Sequence, residues 1–269
     1  MTDAQLDPTD LLAFSAAERQ DRRDHITAFI RDTVDAAGAD GAVIGLSGGI
    51  DSTLTATLAA DAIGAENVHA LALPGTVSSP ESTTDAETVA MDLGIPIDVI
   101  EIGETVDTIV DDYPEAADDM EAVGNVRARV RAVYNYLVAN HESRIVLGTG
   151  NRTEALVGYF TKYGDQAVDC NPIGNLYKCQ VRQLARHLGV PEDIVEKTPS
   201  AELWAGQTDE EELGLAYDAI DGILALHVDG PAPREATAAV LDVPVEAVDR
   251  VDDLVNASTH KRAMPPTPD

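Results

Sequence analysis

Hydrophobic and polar positions along the chain fall into two periods. Residues 15–37 read as an amphipathic helix, with Ser15 as candidate N-cap, Glu18 three residues on and Gly38 past the end. Gly41–Leu46 is a short apolar run and predicts a buried strand, and Ser52–Ile63 predicts a helix that closes at Gly64. His69–Leu73 predicts a second strand, followed by a polar stretch rich in Ser and Thr over Gly75–Thr84. A helix over Asp85–Leu93, a strand over Ile95–Ile102, helices near 105–112 and 120–139, a strand over Arg144–Leu147 and a helix over Glu154–Phe160 follow in order. Alternation of strand and helix predicts an α/β fold, a doubly wound and mostly parallel sheet with helices on both faces. Beyond residue 160 the strand signal fades. Helices are expected over Leu176–Leu188, Pro191–Glu196, Thr208–Gly214 and Val245–Ala257, before a Pro-rich tail, Met264–Asp269, expected to be mobile. No repeat and no linker divides the chain, so residues 1–269 are expected to form a single domain.

Charge changes this picture more than length does. The 269 residues carry 48 Asp and Glu against 18 Lys and Arg, a formal charge of −30. Lysine occurs only at Lys162, Lys178, Lys197 and Lys261. The acids are spread along the chain, which excludes an acidic tail and points to a globular protein adapted to concentrated salt, where screening weakens self-repulsion. Too few cations remain to neutralise a duplex or hold an anionic membrane surface. The acidic N-terminus lacks the pattern of a secretory signal and no apolar run could span a bilayer, so a cytoplasmic protein is expected. Cys170 and Cys179 have no zinc-site spacing; they are read as small thiols, with a disulfide as the other reading.

The most informative stretch is G-L-S-G-G-I-D-S, formed by Gly45, Leu46, Ser47, Gly48, Gly49, Ile50, Asp51 and Ser52. It lies between a predicted strand and a predicted helix. Paired glycines let backbone N–H groups approach oxyanions, and the helix N-terminus adds its dipole. It is not a Walker A loop, whose lysine is missing. An acid at Asp51 beside phosphates makes sense as a ligand for Mg²⁺ that bridges to them.

This motif resembles the pyrophosphate loop of the ATP pyrophosphatase superfamily, which cleaves ATP to AMP and pyrophosphate to adenylate an oxygen. Further blocks narrow the resemblance: V-L-G-T-G-N-R-T-E-A-L-V-G-Y-F from Val146, T-K-Y-G-D-Q-A-V-D from Thr161, N-P-I-G-N-L-Y-K from Asn171, K-T-P-S-A-E-L-W-A-G-Q-T-D-E-E-E-L-G from Lys197, and His260-Lys261. Together they are similar to NAD synthetases over about residues 20–262. The resemblance implies Asp51 and Glu154 as Mg²⁺ ligands and Thr149, Lys178 and Ser200 as ATP contacts. It implies Arg129, Lys162, Asp169, His260 and Lys261 as contacts to deamido-NAD⁺. Asp51, Glu154 and Lys178 would carry the chemistry. Three of the four lysines fall on these positions, as expected if function holds cations in a chain otherwise poor in lysine.

The implied reaction is a two-step amidation: the nicotinate carboxylate is adenylated by ATP, and ammonia then displaces AMP. Glutamine-using relatives carry an additional amidase domain for which this length leaves no room, so ammonia is the expected nitrogen source. The relatives are homodimers. The polar segment Val77–Thr84 and the loop Ala205–Thr208 are candidate lids. Two other readings are a GMP synthetase-like adenylating enzyme and a non-catalytic adenine-nucleotide sensor. Cation-poor composition opposes a tRNA-modifying enzyme, and a sensor could dispense with Asp51, Glu154 and Lys178.

Overall fold

A computed structural model of the chain describes residues 11–204 and 206–268. Ala205 of the candidate lid, Asp269 of the tail and residues 1–10 lie outside the described residues. Helix α1 spans Ala16–Ala37; Ser15 and Glu18 form a reciprocal capping box, and Gly38 closes the helix at φ 63°. Four strands follow: β1 (Ala42–Gly45), β2 (Val68–Ala72), β3 (Ile97–Val99) and β4 (Ile145–Leu147). All pair in parallel, in the order β3-β2-β1-β4. The chain builds outward from β1 to β3 and then returns to lay β4 on the other side of β1. That reversal opens a crevice at the carboxyl ends of β1 and β4, where ligands bind in such sheets.

Both faces of the sheet are covered, which explains the continuous apolar runs. Ala42 and Ile44 face a core shared with α1, helix α2 (Ile50–Ile63) and helix α3 (Pro80–Leu93). Val43, Leu71 and Val146 point the other way, onto helix α4 (Gly103–Asp111) and helix α5 (Met120–His141). A third core lies in the C-terminal helical part and is centred on Tyr217, Ile220, Ile223 and Val248.

Several boundaries differ from expectation for physical reasons. Helix α3 starts at Pro80 and not near Asp85, because the Ser79 side chain accepts from the Glu81 N–H at 3.1 Å and Pro80 occupies the first turn. Pro80–Thr84, five of the eight residues of the expected lid segment Val77–Thr84, are therefore helical. The third strand is confined to Ile97–Val99, since Ile95 N–H bonds back to Ala90 at 2.9 Å and belongs to the end of α3. The helix expected over Glu154–Phe160 is α6, Arg152–Val157, and the one expected from Leu176 is α7, Lys178–His187. Helix α8 covers Glu192–Val195 and α9 covers Asp209–Leu213. Helices α10 (Tyr217–Ile223), α11 (Arg234–Leu241), α12 (Val245–Ala257) and α13 (Thr259–Arg262) complete the chain. The tail from Met264 is exposed and without regular structure as far as residue 268. Cys170 and Cys179 are free thiols. Among the described residues, no helix is long and apolar enough to cross a membrane.

Candidate active site

The crevice between β1 and β4 opens into a cavity of about 640 Å³. Its floor is the loop from Gly45 to Ser52. Ser47 Oγ and Ser52 Oγ lie 3.0 Å apart, and Ser47 N–H donates to Ser52 Oγ at 3.2 Å, so the loop is folded by its own hydroxyls. Gly48 has φ 73°, and a Cβ there would meet Ser82 O at 2.5 Å and Asp85 Cβ at 2.7 Å. Only glycine fits, which lets α3 press against the back of the loop. Helix α2 begins at Ile50, and its N-cap Gly49 has no side chain to cap it, which leaves the N–H groups of its first turn open to an anion.

A three-charge cluster stands beside this loop. Lys178 Nζ lies 2.5 Å from Asp51 Oδ2 and 3.3 Å from Glu154 Oε1. Each partner is fixed from behind. Asn151 Nδ2 donates to Asp51 Oδ1 at 2.9 Å. Asn151 also caps α6 and forms a capping box with Glu154, which turns the other Glu154 oxygen toward Lys178. The Lys178 side chain is 3% exposed. Burial opposes its charge, but Asp51 and Glu154 outweigh that and hold its pKa above the ordinary lysine value. Burial raises the pKa of Glu154, and the Lys178 ammonium works against that rise.

The expected residues divide between the cavity and its rim. Gly45, Leu46, Ser47, Gly49, Ile50, Asp51, Ser52, Thr149, Glu154, Lys178, Ser200 and Lys261 line the cavity. Gly48 supports the loop from behind. Lys261 Nζ donates to Gly158 O at 2.9 Å and Phe160 O at 3.0 Å, which ties the C-terminus to the cavity wall. Arg129, Lys162 and His260 meet outside it: Arg129 Nη2 reaches Lys162 O at 3.3 Å, and Lys162 Nζ donates to His260 O at 2.8 Å. Arg129 borders a second, shallower groove with Val133, Tyr136, Leu137 and Tyr163. Asp169 does not line the cavity. Its Oδ2 accepts from Val146 N–H at 2.7 Å and its Oδ1 from Tyr136 at 3.2 Å, so it runs beside β4 at the sheet edge.

Four cavity groups escaped the sequence reading. Lys197 lines the cavity, with Nζ 2.6 Å from Asp85 and 3.2 Å from Ser82, so the scarcity of lysine pointed to it as well. Arg131 donates to Leu73 O at 3.1 Å and Ser78 Oγ at 3.3 Å. In the string R-A-R-V-R, Arg127 and Arg131 share one helical face and Arg129 takes another. Asp165 faces the cavity and burial raises its pKa. Asp209, 4% exposed, accepts from Tyr217 at 2.8 Å and has its other oxygen, Oδ1, unpartnered. Glu202 and Leu203, which line the cavity just before the second candidate lid, are tied to other elements: Ser82 donates to Glu202 at 2.6 Å and Arg127 to Leu203 O at 2.5 Å.

A glycine-rich loop at the switch point of a parallel sheet, an open helix N-terminus and a lysine between two acids define a nucleotide-binding α/β protein of the pyrophosphate-loop class. The sequence comparisons carry this further. The family model for NAD synthase matches residues 23–265, and the chain belongs to that family. It is 63% identical over 257 residues to an NH(3)-dependent NAD(+) synthetase of Halobacterium salinarum, covering 96% of each chain. Its structure is similar to that of an NMN synthetase from Francisella tularensis, with a TM-score of 0.82, 35% identity, and coverage of 95% and 99% of the two chains. An NH3-dependent NAD synthetase from Campylobacter jejuni gives a TM-score of 0.79 at 29% identity, covering 96% and 100%.

Proposed function

We propose that the protein amidates deamido-NAD⁺ with ammonia at the expense of ATP, giving NAD⁺, AMP and pyrophosphate. The observation that carries this reading is the Asp51–Lys178–Glu154 cluster beside an open phosphate loop, in a chain of the NAD synthase family. A carboxylate oxygen of the substrate attacks the α-phosphorus of ATP, and the bond to pyrophosphate breaks. Ammonia then attacks the acyl carbon, sheds a proton and displaces AMP. The loop N–H groups and Lys178 stabilise the charge that gathers on pyrophosphate, with Thr149 and Ser200 as further ATP contacts. Asp165 offers a carboxylate in the same cavity that can take up a proton. No side-chain nucleophile is required, so the chain contributes position, charge and exclusion of water.

Mg²⁺ fits the residues present. The Asp51 and Glu154 oxygens converge on one point, where a lysine ammonium now offsets them. No group of three or more His, Cys, Asp or Glu side chains gathers as a metal cage among the described residues. That suits Mg²⁺, which is typically held by one or two carboxylates together with phosphate oxygens and water. When bound there, the ion would supply charge neutralisation and a template for the phosphates.

The cavity takes ATP and the reacting carboxylate, and the rim of Arg129, Lys162 and His260 takes the rest of the dinucleotide, with Lys261 joining the two. Asp169 is its outermost expected contact. The outer face of α5 beside this rim exposes Val133 (66%) and Leu137 (61%). We assign that face to a second copy of the chain in a homodimer, consistent with a cytoplasmic enzyme working in concentrated salt. The likeness to an NMN synthetase supports a second reading, in which a mononucleotide is amidated. Purified protein in molar KCl with ATP and Mg²⁺ tests both. Deamido-NAD⁺ or nicotinate mononucleotide is offered with ammonium or with glutamine, and AMP and amide are followed. Turnover of the dinucleotide with ammonium is expected. Preference for the mononucleotide overturns the substrate, and dependence on glutamine overturns the nitrogen source.

A further inference from the structure

Helix α7 begins at Lys178, and the side chain of its N-cap residue, Tyr177, does not cap its first turn. Its first two N–H groups are instead satisfied by other helices. Lys178 N–H donates to Thr153 Oγ1 at 3.0 Å and Cys179 N–H donates to Asp221 Oδ2 at 2.7 Å. Thr153 Oγ1 in turn donates to Asp221 Oδ1 at 2.5 Å. Asp221 is 1% exposed and Thr153 is fully buried. One carboxylate on α10 therefore holds both the helix that starts with Lys178 and the helix that carries Glu154. One turn earlier on α10, the ring of Tyr217 lies 5.0 Å from Lys178 Nζ, in a cation–π arrangement. Tyr217 is itself anchored by its hydroxyl on Asp209 at 2.8 Å. Residues four apart on a helix share a face, so α10 holds the first turn of α7, directly at Cys179 and through Thr153 at Lys178, and also meets the lysine's ammonium.

We infer that Asp221, together with Tyr217, is a positioning residue that aims Lys178 at the departing pyrophosphate. The inference rests on the role given to Lys178 above. Neither side chain lines the cavity, so their effect passes through the lysine. A buried hydrogen-bonded acid could instead serve the fold alone, and the test separates the two roles.

Asp221→Asn is measured by pyrophosphate release in the unaltered chain and in a Lys178→Met background, with ATP binding followed by calorimetry. A small misplacement of a catalytic group lowers turnover while leaving ground-state binding intact. We expect kcat to fall at least about tenfold, with ATP affinity within about twofold. In the Lys178→Met background the further loss should be under about twofold, because two residues acting as one unit are not additive. Tyr217→Leu removes the ring beside Lys178 Nζ and should also lower kcat, again with little further loss in the Lys178→Met background. If Asp221→Asn fails to fold, Thr153→Val removes the bridging hydroxyl and makes the same comparison. Equal losses in both backgrounds overturn the positioning role alone. A Lys178→Met enzyme with near-normal kcat overturns the role of the lysine and this inference with it.

Discussion

The phosphate-loop front and the helical back are held together by different forces. At the front, Asp51, Glu154 and Lys178 are charges taken largely out of water and matched to one another. Their arrangement is preorganised, and each depends on the others remaining charged. At the back, Tyr217, Ile220, Ile223, Leu241 and Val248 form an apolar core, with buried acids at its edge where they reach the front. Damage to a charge cluster can be repaired by another charge. A cavity in an apolar core cannot be repaired in that way.

The largest expected effect is at the front. Lys178→Met should lower kcat by about a thousandfold, or ~4 kcal/mol of transition-state stabilisation. It also leaves two carboxylates without their cation, so the metal-free protein should lose about 3 kcal/mol of stability. Mg²⁺ should restore most of that stability without restoring turnover. Denaturant melts with and without Mg²⁺ check this, and a loss that the ion does not repair would break the contrast between front and back.

Ile223→Ala is the matching change at the back. Ile223 is fully buried, and removing its side chain should cost about 3 kcal/mol. Here the same melts should show no difference in the loss with or without Mg²⁺. The kcat of the folded fraction should stay within about twofold, since the cavity remains formed.

The rim sharpens the comparison at a smaller scale. Arg129 is exposed and bonds to a backbone carbonyl, so its loss leaves no buried charge behind. Arg129→Ala should raise KM for deamido-NAD⁺ about tenfold, or ~1.4 kcal/mol, with kcat unchanged. The effect should shrink as KCl rises, because exposed charges are screened. Steady-state kinetics at two salt concentrations measure both parts, and a fall in kcat would move Arg129 into the catalytic machinery.

That the front residues gather in one cavity was legible because the phosphate chemistry proposed for them restricts residue type. A loop that must admit an anion uses glycine, an acid beside it signals a cation, and a lysine in a chain with four of them is conspicuous. The first two strands and their helices followed from apolar runs bounded by glycine. The back was less legible. Residues 215–230 mix acids with apolar side chains, as in A-Y-D-A-I-D-G-I-L, and Asp218, Asp221 and Asp229 look alike in sequence. Only the fold distinguishes Asp221, buried against α7, from Asp218, which faces Arg182 at the surface. The first turn of α3 is hard to see in sequence because serine and threonine also suit loops, and only the fold shows Ser79 as its cap. Asp169 has the residue type of a ligand contact, and its pairing with Val146 N–H and Tyr136 beside β4 comes from the tertiary fold and has no signal in the sequence.

The smallest expected effect lies at the back, where one ion pair can be tested by pH. Residues Leu224–Val228 form a wider turn that continues α10, and His227 ends up between two elements. Its Nδ1 lies 2.7 Å from Ala232 O and its Nε2 lies 3.0 Å from Asp252 Oδ2. The bond to the Ala232 carbonyl, with Asp252 adding to it, raises the histidine pKa above the ordinary 6.5. A raised pKa in the folded state means the folded protein binds the proton more tightly than the unfolded chain. Its stabilisation is therefore fully present below 6.5 and is lost as pH rises through the folded pKa. The imidazole is partly exposed and its Asp252 partner more so, so water and salt screen the pair and the effect should stay under about 1 kcal/mol. Melting the protein and His227→Gln at a series of pH values should show the largest gap on the acid side and a narrowing gap on the alkaline side. High salt should weaken the part due to Asp252 and leave the bond to Ala232. A gap that widens with pH would mean that the imidazole is held neutral, and the back would then owe nothing to charge at this position.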